Sequence, residues 1–357
     1  MAKSVVGIDI GSRTLRAVEV VDHEKSKPTV VRYCEVALPA GAVIRGEVNE
    51  PNTVASALKE LWTKGGFKSK NVVLGVGNQR VLARDITVPK MSLKQIRESL
   101  PFEVQEMLPI PVADALLDFY PIAEVESEAG PMVRGLLIAA VKAAVLGNVA
   151  TTQLAGLTTV DVDLIPFALN RVLISRPGVA GTVAQIDIGG STTSVVIAID
   201  GVPQFVRIIA NGGDDITQAL QAELGLALEV DPEVEAEQPE AMKRRLGLAT
   251  GTVAAVDKRA VEIIYKIASE QLTSLRNTIN YFVNTRPIDA VNKIVLSGGG
   301  AHLQGLPEAL AEMTRLNVQV GDPFLTVSLG RGLTLEDLRR NGSTFSVALG
   351  LALGRAA

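Results

Sequence analysis

Two short segments of this 357-residue chain are near copies of one another, and no other feature narrows the fold as much. Val5-Val6-Gly7-Ile8-Asp9-Ile10-Gly11-Ser12 opens the chain, and Ala184-Gln185-Ile186-Asp187-Ile188-Gly189-Gly190-Ser191 repeats its plan near the middle. Each is an apolar run, an Asp, then Gly and Ser. Each leads into a second β-rich run, Thr14 to Val21 and Thr193 to Ile199, which predicts a hairpin turned by the Gly-Ser element. Self-similarity at this distance means two α/β halves of common design.

In physical terms each turn suits an anion. Glycine lets backbone N–H groups approach phosphate oxygens with no Cβ in the way. Ser12, Arg13, Thr14, Ser191 and Thr192 stand ready to add donors to the backbone of Gly11, Gly189 and Gly190. A carboxylate beside a triphosphate repels it unless a cation intervenes, so Asp9 and Asp187 imply Mg2+ held through water. One such segment alone is equally an Asp-stabilised glycine hairpin. Two of them, heading two halves, favour a shared ligand.

Length and composition agree with two ordinary soluble cores. Hydrophobic residues make up 47% and charged residues 21%, and the formal net charge of −4 argues against a general nucleic-acid binder. Cys34 is the single cysteine and His23 and His302 the two histidines, so an intrachain disulfide and a Cys- or His-rich zinc site are excluded. A reducing cytoplasm fits. Met1 to Ile10 shows no signal-peptide pattern, and no apolar run approaches the roughly 20 residues that span a bilayer. Direct membrane insertion is not expected.

A third glycine element lies at Val291 to Leu306, where Leu296-Ser297-Gly298-Gly299-Gly300 reads as the end of a strand before a helix of about Leu306 to Leu316. Such a loop lets a flat ligand lie against the backbone. In this order the three segments resemble the phosphate 1, phosphate 2 and adenosine motifs of the actin, hexokinase and heat-shock chaperone ATPase superfamily. Asp163 to Arg171 resembles its connect 1 helix and Ser346 to Gly354 its connect 2 helix, with Ala168, Ala348, Gly350 and Ala352 small enough for a close crossing. The resemblance covers nearly the whole chain. It implies an α/β, actin-like (ribonuclease H-like) duplicated fold, with subdomains 1A, 1C, 2A and 2B in two lobes around a nucleotide cleft. It also implies ATP with Mg2+, and adds Gly213, Glu270 and His302 to the nucleotide contacts. GTP stays open as an alternative.

Between the first sheet and connect 1, a helix over Ser92 to Pro111 with Ser92 as N-cap is predicted. Strands at Ala115 to Ala123 and Val133 to Val141, a helix at Ala143 to Leu154 and a strand at Leu157 to Asp163 follow. This layout resembles the 1C subdomain of the type IV pilus protein family PilM and of the cell-division protein FtsA. The wording LPFEVQEMLPIPVADALLDF, and Glu235-Ala236-Glu237 with Met242-Lys243, are similar to the PilM family. Subdomain bounds are expected at 1–90 (1A), 91–160 (1C), 161–182 (1A), 183–212 (2A), 213–285 (2B), 286–340 (2A) and 341–357 (connect 2).

The resemblance implies a scaffold that binds the cytoplasmic tail of a PilN-like bitopic membrane protein near Leu100, Phe102, Met107 and Leu108, together with other pilus machinery. That would place it at the inner face of the membrane. A homo-oligomer stays open. Ile165 stands where relatives carry an acid that orients water, so slow or negligible hydrolysis is expected. A sugar or acid kinase and an FtsA-like filament are the alternatives. Trp62 is expected in the core, and Glu229 to Glu240 as a solvated loop and helix start.

Overall fold

In the computed structural model, which describes residues 4–354 other than 129, 226–237, 249–252, 287–288, 335, 337 and 339–341, each echoed segment becomes an interior strand of its own sheet. β1 (Ser4–Ile10), β2 (Thr14–Val21) and β3 (Thr29–Ala37) form an antiparallel meander. A small hairpin of β4 (Val43–Ile44) and β5 (Glu47–Val48) follows. Next, β6 (Asn71–Val76) joins β1 in parallel, with β10 (Thr158–Leu164) parallel to β6. The second half repeats this with β11 (Thr182–Ile188), β12 (Thr193–Ile199), β13 (Val202–Ile209), β14 (Lys293–Ser297) and β15 (Asn317–Val320). The strand orders β10-β6-β1-β2-β3 and β15-β14-β11-β12-β13 match one for one, and β16 (Ser328–Leu329) extends the first sheet beside β3.

Every residue of β11 is buried, the pattern of a strand covered on both faces. The outer face of the first sheet carries α1 (Pro51–Gly65). Its Val54, Leu58 and Leu61 fall on one stripe, Pro51 opens it, and Gly66 ends it in the left-handed region at φ 62°. Between the two sheets lie α4 (Ile165–Asn170), which continues as a π turn over Arg171–Ser175, and α9 (Ser346–Ala352), in a core shared with Val18, Val183 and Val295. A Cβ on Gly350 would run into the Ala168 carbonyl, and one on Gly7 into the α9 backbone at Ala348. The small residues do permit the close crossing.

The connect 1 helix begins later than expected. Asp163 extends β10, pairing with Gly75 of β6, and the helix starts at Ile165 with Pro166 in its first turn. Asp163, 4% exposed, accepts from Arg171 Nη2 at 2.7 Å, and Arg171 Nη1 donates to the Gly350 carbonyl at 2.7 Å. The acid therefore serves the hinge.

The other face of the second sheet packs on α5 (Gly213–Leu224), α6 (Pro239–Leu246), α7 (Lys258–Thr285) and α8 (Leu306–Thr314). Among the described residues, 213–285 and the second sheet share one hydrophobic core. The inserted unit is β7 (Val81–Pro89), β8 (Ala115–Ser127) and β9 (Gly130–Val141) in the order β7-β9-β8, covered by α2 (Leu93–Glu103). It spans Val81 to Val141 rather than 91–160, because β7 pairs along its whole length with β9, while β10 pairs with β6 and α3 (Lys142–Leu154) packs on α1.

Ser92 caps α2 in a capping box with Gln95, but the helix stops at Glu103 instead of running to Pro111. A 3-10 turn at Gln105–Met107 follows, and Pro109 and Pro111 offer no N–H to continue it. The unit leans on the second lobe: Leu136 and Ile138 share a core with Val196 and Val206, and Arg286 reaches Asp85 at 2.6 Å. Trp62 sits at a core edge against Phe67, donating Nε1–H to the Ser69 carbonyl at 3.0 Å.

Candidate functional site

The two echoed turns are closed by the same backbone hydrogen bond. Gly11 N–H donates to the Thr14 carbonyl at 3.0 Å, and Gly189 N–H to the Thr192 carbonyl at 2.9 Å. In the hairpin registers Asp9 stands opposite Arg16, and Asp187 opposite Ser194. Both turns open onto one cavity of about 580 Å3 between the lobes, within the size range of small-molecule sites. Its lining includes Asp9, Gly11, Ser12, Arg13 and Thr14 from the first lobe, and Asp187, Gly189, Gly190, Ser191 and Thr192 from the second.

Gly213, Gly298, Gly299, Gly300 and His302 also face this cavity. The three glycines of the third loop have different reasons to be there. A Cβ on Gly298 or Gly300 would collide with Ile188, so these two let the loop lie on the second turn. Gly299 has open space in front of it and supplies the bare backbone that faces the cavity. His302 Nε2 sits 2.6 Å from Ser343 Oγ, which fixes the ring at the cavity edge.

The carboxylates at the two strand ends carry the unusual electrostatics. Burial pushes Asp187 up to about 6; the Ser297 hydroxyl, donating to Oδ1 at 2.7 Å, and Arg16 pull it down, and the charge on Asp9 pushes it up. Burial also raises Asp9, with Arg16 opposing at 3.8 Å. Two buried acids that resist ionising side by side suit a divalent cation, whose charge would relieve both. Among the described residues no cluster of three or more acidic, His or Cys side chains forms a closed cage. Such an open pair fits Mg2+, which keeps most of its waters and shares its remaining positions with phosphate.

Other lining residues come from outside the three loops. Arg16 Nε donates to Glu35 Oε2 at 2.9 Å, placing a guanidinium beside Asp9. Gln271 of α7 enters the cavity and donates to Thr193 Oγ1 at 3.2 Å, whereas its neighbour Glu270 is exposed and outside the lining, a correction to the expected ribose contact. On a helix adjacent residues diverge by about 100°, so only one of the two enters. Glu240 closes the cavity rim. Burial works against its charge, but Lys243 Nζ at 2.6 Å, Thr217 and Arg244 hold its carboxyl below the usual range. It is thus a cleft residue, not the solvated start of a helix, while Glu229 to Glu237 lie outside the described residues.

Ile165 forms apolar wall, its side chain filling the space in front of Gly75 and Gly77. Arg16 was findable by writing out the first hairpin, since a four-residue turn sets it opposite Asp9; Gln271 and Glu240 carry no such local signal. On the inserted unit, Phe102 is 84% exposed and Leu100 fully buried, with Met107 and Leu108 packed partly against the same core. Leu100 therefore cannot be touched by a partner, contrary to the expectation.

Matched sheets, crossed helices at the hinge and a cleft lined by equivalent turns define an actin-like protein. A solved structure of a PilM-PilN type IV pilus biogenesis complex superposes with a TM-score of 0.85 and 28% identity over 99% of this chain and 98% of that one. The ethanolamine utilization protein EutJ from Carboxydothermus hydrogenoformans shares the fold, with a TM-score of 0.55 and 16% identity over 99% of this chain and 90% of that one. Cell division protein FtsA of Bacillus subtilis (strain 168) is 22% identical, the alignment covering 89% of this chain and 78% of that protein. The family model described as type IV pilus assembly protein PilM matches residues 7–356, and the chain belongs to that family. Among the described residues no helix is long and apolar enough to cross a membrane.

Proposed function

We propose that this protein is a nucleotide-binding scaffold of type IV pilus assembly. Its cleft takes ATP with Mg2+, and its inserted unit holds the cytoplasmic tail of a PilN-like membrane protein. The observation that carries the nucleotide half is the pair of glycine turns closed by equivalent backbone hydrogen bonds, one per lobe, facing one cavity with buried acids at their bases. A bound Mg2+ would supply charge neutralisation between phosphate and the two acids. The chain's own groups do the rest: backbone N–H groups and the Ser12, Ser191 and Thr192 hydroxyls bind phosphate, Arg16 supplies fixed positive charge, and Gly299 and His302 flank the base. Asp9 and Asp187 hold the cation.

Hydrolysis is slow in this reading, because the wall at Ile165 offers no group to orient a water, and Glu35, Glu240 and Asp214 are already held by cations. The partner half rests on the family and on the solved PilM-PilN relative. Phe102, standing out from α2, is the apolar anchor offered to the tail, with half-buried Met107 and Leu108 following it in the chain. Through that partner the protein would sit at the membrane. The test is equilibrium binding of a PilN-like tail peptide and of Mg·ATP, measured separately on the purified chain. Saturable binding of both is expected. Phosphoryl transfer to a small molecule with no peptide binding would refute the scaffold.

A further inference from the structure

Asp214 does something that neither helix capping nor packing requires. Its neighbour Asp215 caps α5, accepting the Gly212 N–H at 2.8 Å. The Asp214 carboxylate instead reaches across the cleft to the other lobe. Oδ1 accepts from Arg13 Nε at 2.5 Å and Oδ2 accepts from Ser12 Oγ at 2.8 Å. Its backbone N–H is stitched to the Gly190 carbonyl at 2.8 Å, which pins the residue to the second turn. Ser12 and Asp214 meet directly over Gly190, where a Cβ would stand 2.5 Å from Ser12 Oγ and 2.8 Å from Asp214 Oδ2. The side chain of Asp214 is 12% exposed, so its end of these charge-assisted bonds is shielded from water, while the Arg13 side chain, 43% exposed, stays open to solvent.

The two turns are thus closed onto each other by a carboxylate that holds two of the side-chain donors the first turn would offer an anion, Ser12 and Arg13. We infer that Asp214 competes with the terminal phosphate of a bound nucleotide for Ser12 and Arg13, and thereby sets how the cleft distinguishes a triphosphate from a diphosphate. This rests on the nucleotide reading above. With the base end against Gly299 and His302, the terminal phosphate is the group that arrives at the crowns of the turns. A third phosphate must take Ser12 and Arg13 from Asp214 and then lie beside a carboxylate. A diphosphate is one group shorter and leaves the clasp shut. The two nucleotides therefore leave the lobes differently tied, which is the differential interaction that any nucleotide-controlled partner affinity needs.

The experiment is calorimetric titration of the full chain with Mg·ATP and Mg·ADP, for the wild type and for Asp214→Asn. Asparagine keeps the shape and one acceptor, removes the charge, and leaves the Asp215 cap alone; Asp214→Ser repeats the measurement with a smaller neutral side chain. Wild type is expected to bind ADP at least as tightly as ATP. Both variants are expected to move the affinity ratio at least tenfold toward ATP, by tightening ATP rather than weakening ADP. A ratio unmoved by the variants, an equal weakening of both nucleotides, or a wild type that already binds ATP more than tenfold tighter than ADP would overturn the inference while leaving nucleotide binding intact. Failure of every protein to bind either nucleotide would overturn it together with the reading beneath it.

Discussion

Replacing Asp187 by Asn turns the electrostatics of the cleft into a stability measurement. Burial and the nearby Asp9 raise the Asp187 carboxyl from its ordinary value near 3.8 to about 6 in the folded protein. The folded state thus keeps this proton to higher pH than the unfolded chain does. The stability linked to it is fully present below about pH 4 and is lost as pH rises through about 6. A gap of about 2 pH units is worth about 3 kcal/mol. Asparagine does not titrate, and its Oδ1 can still accept from Ser297, so Asp187→Asn should escape that loss. The figure is a ceiling, since the new amide brings two donors that want partners. Urea unfolding in EDTA should show a gap between variant and wild type that widens by up to about 2 kcal/mol from pH 4.5 to pH 7.5, in the variant's favour. A gap that stays constant with pH, or moves the other way, would refute the buried-acid account of the site.

Three further outcomes follow from the packing. Asp163→Ala strips the partner from Arg171 at the hinge, where both side chains are at most 10% exposed, and should cost about 3–5 kcal/mol in chemical denaturation; a loss under 1 kcal/mol would mean that the pair is not what holds the hinge. Gly350→Ala forces a methyl into the Ala168 carbonyl and should destabilise by about 1–3 kcal/mol, against a gain of about 0.5–1 kcal/mol for Gly147→Ala, whose Cβ would meet open space inside α3. Phe102→Ala, at 84% exposure, should leave the melting temperature almost unchanged while weakening a PilN-like tail peptide at least tenfold; undiminished peptide binding would place the tail elsewhere.

Much of this architecture is written locally. A strand, an Asp and a Gly-Ser turn specify a hairpin through nearest-neighbour chemistry, and the repeat of that wording foretold two sheets of one topology. The small residues at Ala168, Gly350 and Ala352 are themselves a local sign of a close helix crossing. Boundaries were harder where a choice of partner decides them. Nothing in Val81 to Pro89 says that it pairs with β9 rather than with β6, because a half-exposed strand reads the same in either sheet. Asp163 illustrates the same limit, as one more ladder pair with Gly75 keeps it out of the helix. Within the cleft, the loops were legible and the long-range members were not. Asp214 meets Ser12 from 202 residues away, and a helix offers Glu270 and Gln271 to the reader with equal plausibility until its packing face is fixed.

The most direct test of the two-turn cleft is a thermal melt of the purified chain with Mg·ATP, against ATP in EDTA and against Mg2+ alone. Binding to the folded state at about 100 times the dissociation constant adds ~2.7 kcal/mol of stability. A clear rise in melting temperature is expected with Mg·ATP, a smaller one with ATP in EDTA, and little with Mg2+ alone. Asp9→Ala and Asp187→Ala should erase the difference that Mg2+ makes. Identical melting curves in all three conditions at millimolar nucleotide would contradict the claim that the paired turns hold a nucleotide.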